Sequence, residues 1–272
     1  MPQRTLIHRS LRQVLRACSA SLRRVAVIGV LTAVLLAGCT LPSRTPPDVS
    51  EWFADARSHE LAAAVLADDG EEIRALVTAG APVGIQGNHG LTLLQWAILH
   101  NRHEALLALL DAGADPNQLG EAGDTAIHSA ALSSDPRHLV ALLDFGGDPN
   151  VQGEITGNTP LDHAIRSIAV EPVHILLEAG ADPNISDHNA DVPLHTAART
   201  NKGWAILLLL EAGADPEVVN SRGTSWQDLY WDFAPEILNE RSHAERREII
   251  TWLDHHGHEL SPKAEPFRME HD

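Results

Sequence analysis

The feature that most restricts how this chain can fold is a phrase that returns at a nearly fixed interval. It reads Leu109-Leu110-Asp111-Ala112-Gly113-Ala114-Asp115-Pro116-Asn117, then Leu142-Leu143-Asp144-Phe145-Gly146-Gly147-Asp148-Pro149-Asn150, then Leu176-Leu177-Glu178-Ala179-Gly180-Ala181-Asp182-Pro183-Asn184. Leu209-Leu210-Glu211-Ala212-Gly213-Ala214-Asp215-Pro216-Glu217 follows, and Leu76-Val77-Thr78-Ala79-Gly80-Ala81-Pro82 is a worn relative. Gly80, Gly113, Gly146, Gly180 and Gly213 are evenly spaced, save for a single extra position between Gly146 and Gly180. So regular a period implies stacked units in place of one globular core. Each copy is a helix stop: paired leucines end a buried face, Gly takes the left-handed conformation past the last turn, and Asp-Pro forbids continuation.

A second motif lies in phase with the first. Gly90-Leu91-Thr92-Leu93-Leu94-Gln95-Trp96-Ala97 aligns with Gly123-Asp124-Thr125-Ala126-Ile127-His128-Ser129-Ala130 and with Gly157-Asn158-Thr159-Pro160-Leu161-Asp162-His163-Ala164. Ala190-Asp191-Val192-Pro193-Leu194-His195-Thr196-Ala197 is the fourth. Together the motifs resemble ankyrin repeats, whose pattern is Gly-x-Thr-Pro-Leu-His-x-Ala-Ala followed by an outer helix ending in Leu-Leu-x-x-Gly-Ala-Asp. The resemblance runs from about residue 58 to about 223. It implies an all-α solenoid of stacked helix pairs with β-hairpin-like loops, about six units including degenerate caps.

The chemistry of each position fits this reading. Thr caps exposed N–H groups at a helix start, Pro suits the first turn, and paired alanines let neighbouring inner helices approach. Departures are Val192 for Thr, Leu93 and Ala126 for Pro, Gln95 and Asp162 for His, and Ala190 for Gly. The extra residue of the third unit is expected near Asp135-Pro136, in a turn that tolerates insertion. Beyond Gly223 the period fades into a degenerate cap that includes Ile249, Ile250, Trp252 and Leu253. The domain is therefore expected over 51–258, with a frayed tail at 259–272.

Upstream lies a different kind of sequence. Residues 1–38 hold six arginines and no Asp or Glu, and an apolar run from Val25 to Ala37 follows those arginines. That run is shorter than the roughly 20 residues a spanning helix needs and reads as the core of a signal peptide. It leads into Leu36-Ala37-Gly38-Cys39, which resembles the lipobox of bacterial lipoproteins. The resemblance implies removal of residues 1–38 and acylation of Cys39, two or three chains giving a firm anchor at about 0.8 kcal/mol per buried CH₂. Thr40, where an Asp would favour inner-membrane retention in the Gram-negative family, implies an outer-membrane protein facing the periplasm. Pro42, Pro46 and Pro47 make 39–50 a tether.

Composition narrows the partners. The whole chain carries −17, and without its leader 14 Lys+Arg face 37 Asp+Glu, leaving −23. Such a body repels nucleic acid and suits a polypeptide partner. No nucleophile stands in a catalytic phrase and the mature body has no thiol, so neither enzyme activity nor a cofactor is expected. His255-His256-Gly257-His258 and His100-Asn101-Arg102-His103 match no established ligand motif and read as solvated histidines near helix ends, with no metal site expected. His128 and His195 read as structural. Of the tryptophans, Trp96, Trp226, Trp231 and Trp252 read as core or cap residues, while Trp52 and Trp204 are not placed by the pattern.

In ankyrin proteins, partners meet the hairpin tips and the residues late in each inner helix. Carried over residue by residue, the helix positions are Leu99 and His100, Leu132 and Ser133, Arg166 and Ser167, and Arg199 and Thr200. The tips supply Asn88 and His89, Glu121 and Ala122, Ile155 and Thr156, His188 and Asn189, and Ser221 and Arg222. Arg166, Arg199 and Arg222 would either meet a partner's acids or pair internally with Asp162, Asp191 or nearby carboxylates. The expected function is therefore protein binding by a monomeric envelope lipoprotein anchored through Cys39, either as immunity protein against a periplasm-delivered toxin or as a scaffold for an envelope enzyme.

Overall fold

A chain that stops its helices at so regular an interval must bury each helix pair against the next, and it does. The computed structural model describes residues 49–53, 55–167 and 169–268. Six helix pairs follow one another: α1 (Ala56–Ala67) with α2 (Gly70–Thr78), α3 (Leu93–Leu99) with α4 (His103–Asp111), α5 (Ala126–Leu132) with α6 (Pro136–Asp144), α7 (Pro160–Arg166) with α8 (Glu171–Glu178), α9 (Pro193–Arg199) with α10 (Gly203–Glu211), and α11 (Trp226–Tyr230) with α12 (Glu240–His256). Each odd-numbered helix packs on the next odd-numbered one, forming an inner layer, and α2, α4, α6 and α8 stack in turn behind it. The alanines Ala97, Ala130, Ala131, Ala164, Ala197 and Ala198 are fully buried in that inner layer, where larger side chains would hold the helices apart. Among the described residues there is no strand, and no helix is long and apolar enough to cross a membrane.

The recurring phrase works as its composition implies. Gly80, Gly113, Gly146, Gly180 and Gly213 have φ between 86° and 93°, each accepting the left-handed turn that ends an outer helix. The asparagines that close the phrase tie units together. Asn117 Nδ2 donates to Gly146 O at 3.1 Å while its Oδ1 accepts from Asp148 N at 2.8 Å. Asn150 does the same with Gly180 O and Asp182 N, and Asn184 with Gly213 O and Asp215 N.

Between units the chain makes a finger closed by one backbone bond: Gly87 N to Leu91 O, Gly120 N to Asp124 O, Asp187 N to Asp191 O, and Asn220 N to Thr224 O. In the third unit the bond is Gly153 N to Asn158 O at 2.9 Å, one residue wider. The inserted residue therefore lies in the tip Glu154-Ile155-Thr156 and not near Asp135-Pro136. There, Asp135 is the N-cap and Pro136 the first residue of α6, a helix start of ordinary length.

Both ends differ from expectation. The tether expected over 39–50 gives way to folded chain by Val49, which begins a short 3-10 helix Val49–Glu51 and is buried together with Phe53, whose ring lies 5.8 Å from that of Trp96. The leader, Cys39 and the rest of the tether lie outside the described residues. At the other end, residues 259–268 of the expected frayed tail are packed. After a short 3-10 helix Pro262–Ala264, helix α13 (Glu265–Arg268) brings Phe267, 2% exposed, to 5.5 Å from the Trp231 ring. Beneath it Arg246 is fully buried, its guanidinium 4.2 Å over Tyr230 and 5.1 Å over Phe267, with Nη2 donating to Tyr230 O and Asn201 Oδ1. The tail is ordered because the last unit has no neighbour, and these rings supply the missing apolar cover.

Two substitutions check this account. Phe267→Ala is expected to lower stability by about 3 kcal/mol in urea unfolding, a loss that a frayed tail would not show. Ala190 occupies the left-handed region at φ 59° where other fingers use Gly. Ala190→Gly should raise stability by about 0.5–1 kcal/mol, read as a higher melting temperature.

Candidate functional site

The inner helices and fingers together place the expected partner-binding residues along the inner face, but most of their polar atoms already serve the fold. Asn88 donates from Nδ2 to Glu51 O and from its backbone N to Trp52 O. Ser133 Oγ accepts from Asp135 N, Thr156 Oγ1 accepts from Asn158 N, and Thr200 Oγ1 donates to Thr196 O. Asn189 closes a turn with Asp187, and His188 is tied through Nδ1 to Ile155 O at 3.1 Å. Stacked fingers thus bond one another in series: Glu154 N to Gly123 O, His188 N to Thr156 O, and Ser221 N to Asn189 O.

What remains without a role in the fold is more limited. Leu99 is 47% exposed and Leu132 is half-buried. Ile155, carried out on the widened finger, is 67% exposed. At the N-terminal end, Trp52 lies against Trp96 at 5.9 Å and edge-on to His89 at 6.4 Å. His100 stacks edge-on upon Trp96 at 4.2 Å and is half-buried, and His103 lies 5.5 Å from the fully buried ring of His138. The expectation of solvated histidines therefore fails for His100 and His103, because bulky neighbours cover both. His255 and His256 are exposed, the latter stacked on Trp252.

The arginine ladder divides. Arg199 pairs with Asp191, eight residues back at the base of its own finger, and Asn220 Nδ2 donates to the same carboxylate at 2.8 Å. The matching position before Arg166 is Asn158, a neutral amide. Asp162 does not replace the missing acid: it is 1% exposed, with Oδ2 accepting from Thr159 N and Oγ1, and Oδ1 from Thr196 Oγ1. Among the described residues, neither Arg166 nor Arg222 has an ion pair within 4 Å, and both are exposed.

Beside Arg166 lies a half-buried titratable pair. His163 Nε2 is 3.7 Å from Asp124 Oδ2, and its ring stands 5.0 Å from that of His128. Burial pushes the Asp124 carboxyl up to about 6, against the pull of Arg166, and pushes His163 down to about 3, helped by His128 and Arg166. Between those two values the pair is neutral, with the proton on the acid. His128 is also held below the usual imidazole range by burial. Its Nδ1 accepts from Thr125 N and its Nε2 donates to Asn158 O, the structural role expected of it, which His195 repeats with Val192 N and Thr224 O.

Family models for ankyrin repeats match residues 108–187 and 127–220, and a single-repeat model matches residues 89–118. With six stacked helix pairs, this makes the domain an all-α ankyrin-repeat solenoid, a fold that works in protein–protein interaction. No curated protein matches the chain.

Ile155 is one of the finger-tip positions the family pattern supplies; what that pattern did not show is the inserted residue that carries it out. A count would have placed that residue in this finger: Thr159 stands one position further from Gly146 than Thr125 does from Gly113.

The sign of the Asp124 effect is testable. A carboxyl that keeps its proton to about 6 when folded, but gives it up near 4 when unfolded, favours the folded state less and less as pH rises through that window. Asp124→Asn, which imitates the protonated acid, is expected to be more stable than wild type at pH 7.5, with the advantage vanishing towards pH 4. Urea unfolding of both proteins across that range reads the difference. His128 and His163, which resist protonation when folded, weaken both proteins alike as pH falls below about 6.5.

Proposed function

We propose that this chain is a bacterial envelope lipoprotein, anchored by acyl chains on Cys39 in the outer membrane and facing the periplasm, that holds a protein partner on its concave face. The observation that carries the binding role is the contrast along that face. Most of the expected polar groups are already bonded within the fold, while Leu99 and Ile155 are exposed and Arg166 is exposed without an ion pair among the described residues. A surface interlocked in this way loses little freedom on binding, which favours tight recognition. The lipobox Leu36-Ala37-Gly38-Cys39 supports the anchor. An immunity protein, which must neutralise a delivered toxin at low concentration, draws most on such a surface.

Two measurements test the reading. Radiolabelled palmitate fed to cells is expected to label the wild-type chain and not Cys39→Ala, which should also leave the membrane fraction. Affinity capture of the full chain from its native envelope should recover one partner in stoichiometric amount. Leu99→Asp with Ile155→Asp should weaken that capture at least tenfold, about 1.4 kcal/mol, at unchanged melting temperature. Weak, substoichiometric recovery together with an envelope defect on deletion would instead mark a scaffold. Label on Cys39→Ala would remove the anchor from the proposal.

A further inference from the structure

We propose that the groove receives a polypeptide segment that sets one carboxylate on Arg166 and, N-terminally along the solenoid, apolar side chains on Leu132, Leu99 and Ile155. This rests on the reading of the concave face as the partner surface and adds the chemistry of what binds there.

The charge argument begins from Asn158. In the next unit the equivalent position is Asp191, which neutralises Arg199, so a guanidinium at the end of an inner helix has a local acid when the fold supplies one. In the third unit no acid among the described residues pairs with Arg166 within 4 Å, although Asp124 and Asp162 attract it from further off. Asp162 is turned into the core by three donors, and Asp124 is half-buried beside His163, 3.7 Å away. Arg166 is thus an exposed cation without an ion pair among the described residues, on a chain that carries −17 overall. A guanidinium with its planar fork open is matched by a carboxylate that accepts two parallel bonds.

The surroundings favour a lone carboxylate over a phosphate or a nucleic-acid backbone. The other cations of this region are engaged: Arg199 by Asp191, and Lys202 by the carbonyls of Ile165 and Ser167 at the end of α7. Of the ladder, only Arg222, on the finger that follows α10, shares with Arg166 the lack of an ion pair among the described residues, whereas phosphate backbones are held by several cations.

The apolar part follows from the same unit. The inserted residue widens the finger from Gly153 to Asn158 and carries Ile155 out to 67% exposure, leaning toward Gly123 of the preceding finger. Leu132 and Leu99 end the two inner helices on that same side of Arg166. Neighbouring helices pack roughly 8–10 Å apart, so Leu132 lies about one such step from Arg166 and Leu99 about two. In an extended segment rising about 3.3 Å per residue, the acid then stands about three residues from one apolar side chain and about six from another.

The test is selection from a phage-displayed library of random twelve-residue peptides on the full chain, its Arg166→Glu variant, and its Leu99→Asp/Ile155→Asp variant, with melting temperatures recorded for all three. Wild type is expected to enrich peptides with Asp or Glu at that spacing from Leu, Ile, Phe or Trp. A selected peptide should bind Arg166→Glu at least tenfold more weakly and recover when its acid is replaced by Lys. Binding abolished by Leu99→Asp/Ile155→Asp but indifferent to Arg166→Glu would overturn the carboxylate assignment and leave the groove standing. A phosphoserine in place of the acid that improves affinity tenfold or more would overturn it too. Peptides held equally by all three proteins, or no enrichment on wild type, would overturn the groove reading itself.

Discussion

Each unit of this solenoid leaves polar groups that only its neighbour can satisfy, and the whole structure depends on that need being met. The asparagine at the end of one helix-stop phrase bonds the backbone of the next, so Asn117, Asn150 and Asn184 form a line of two-bond clasps. On the inner face the residue three past each helix cap does the same. His128 and His195 reach the carbonyls of Asn158 and Thr224, and Gln95, with its amide in the role of the imidazole, reaches Asp124 O. A lone unit would bury these groups unpaired or leave its apolar faces wet.

Where the pattern departs, the bond is kept by other means. Asp162 accepts at both oxygens, Oδ2 from Thr159 and Oδ1 from Thr196 Oγ1 of the next unit, so the bond across units runs in the opposite direction. At the ends, where no neighbour exists, the chain supplies substitutes of a different kind. Phe53 and Trp52 close the first unit over Trp96, and the last is closed by Trp231, Phe267 and a buried Arg246 among aromatic rings. An ion buried without a carboxylate is tolerable there because its Nη2 donates to Tyr230 O and Asn201 Oδ1 and its flat faces meet rings, although Nε is left without a partner among the described residues.

The interlocking also decides what the inner face has to offer a partner. Asn88, Ser133, Thr156, Thr200 and Asn189 look like a polar binding edge when read from the family pattern, yet each has bonds within the fold. Two of the residues left over stem from breaks in the repeat: Ile155, pushed out by the added residue, and Arg166, opposite the amide Asn158 where the next unit has an acid. Exposure and missing partners mark this surface more clearly than residue type does.

The sequence by itself determined the period, the helix stops, the pairing of inner and outer helices and the structural role of His128 and His195. All of these follow from short-range rules: a glycine past a helix end, a cap at its start, and a spacing that repeats. It misled at the third turn and at the tail, where Asp135-Pro136 resembled a tolerant loop and the prolines after 261 resembled a loose end. Only the tertiary structure decided that Phe267 is buried, that Asp162 faces inward, and that Arg199 is paired while Arg166 is not. Burial and ion pairing depend on which side chains are brought together from separate units, and that is a property of the stack that no single repeat contains.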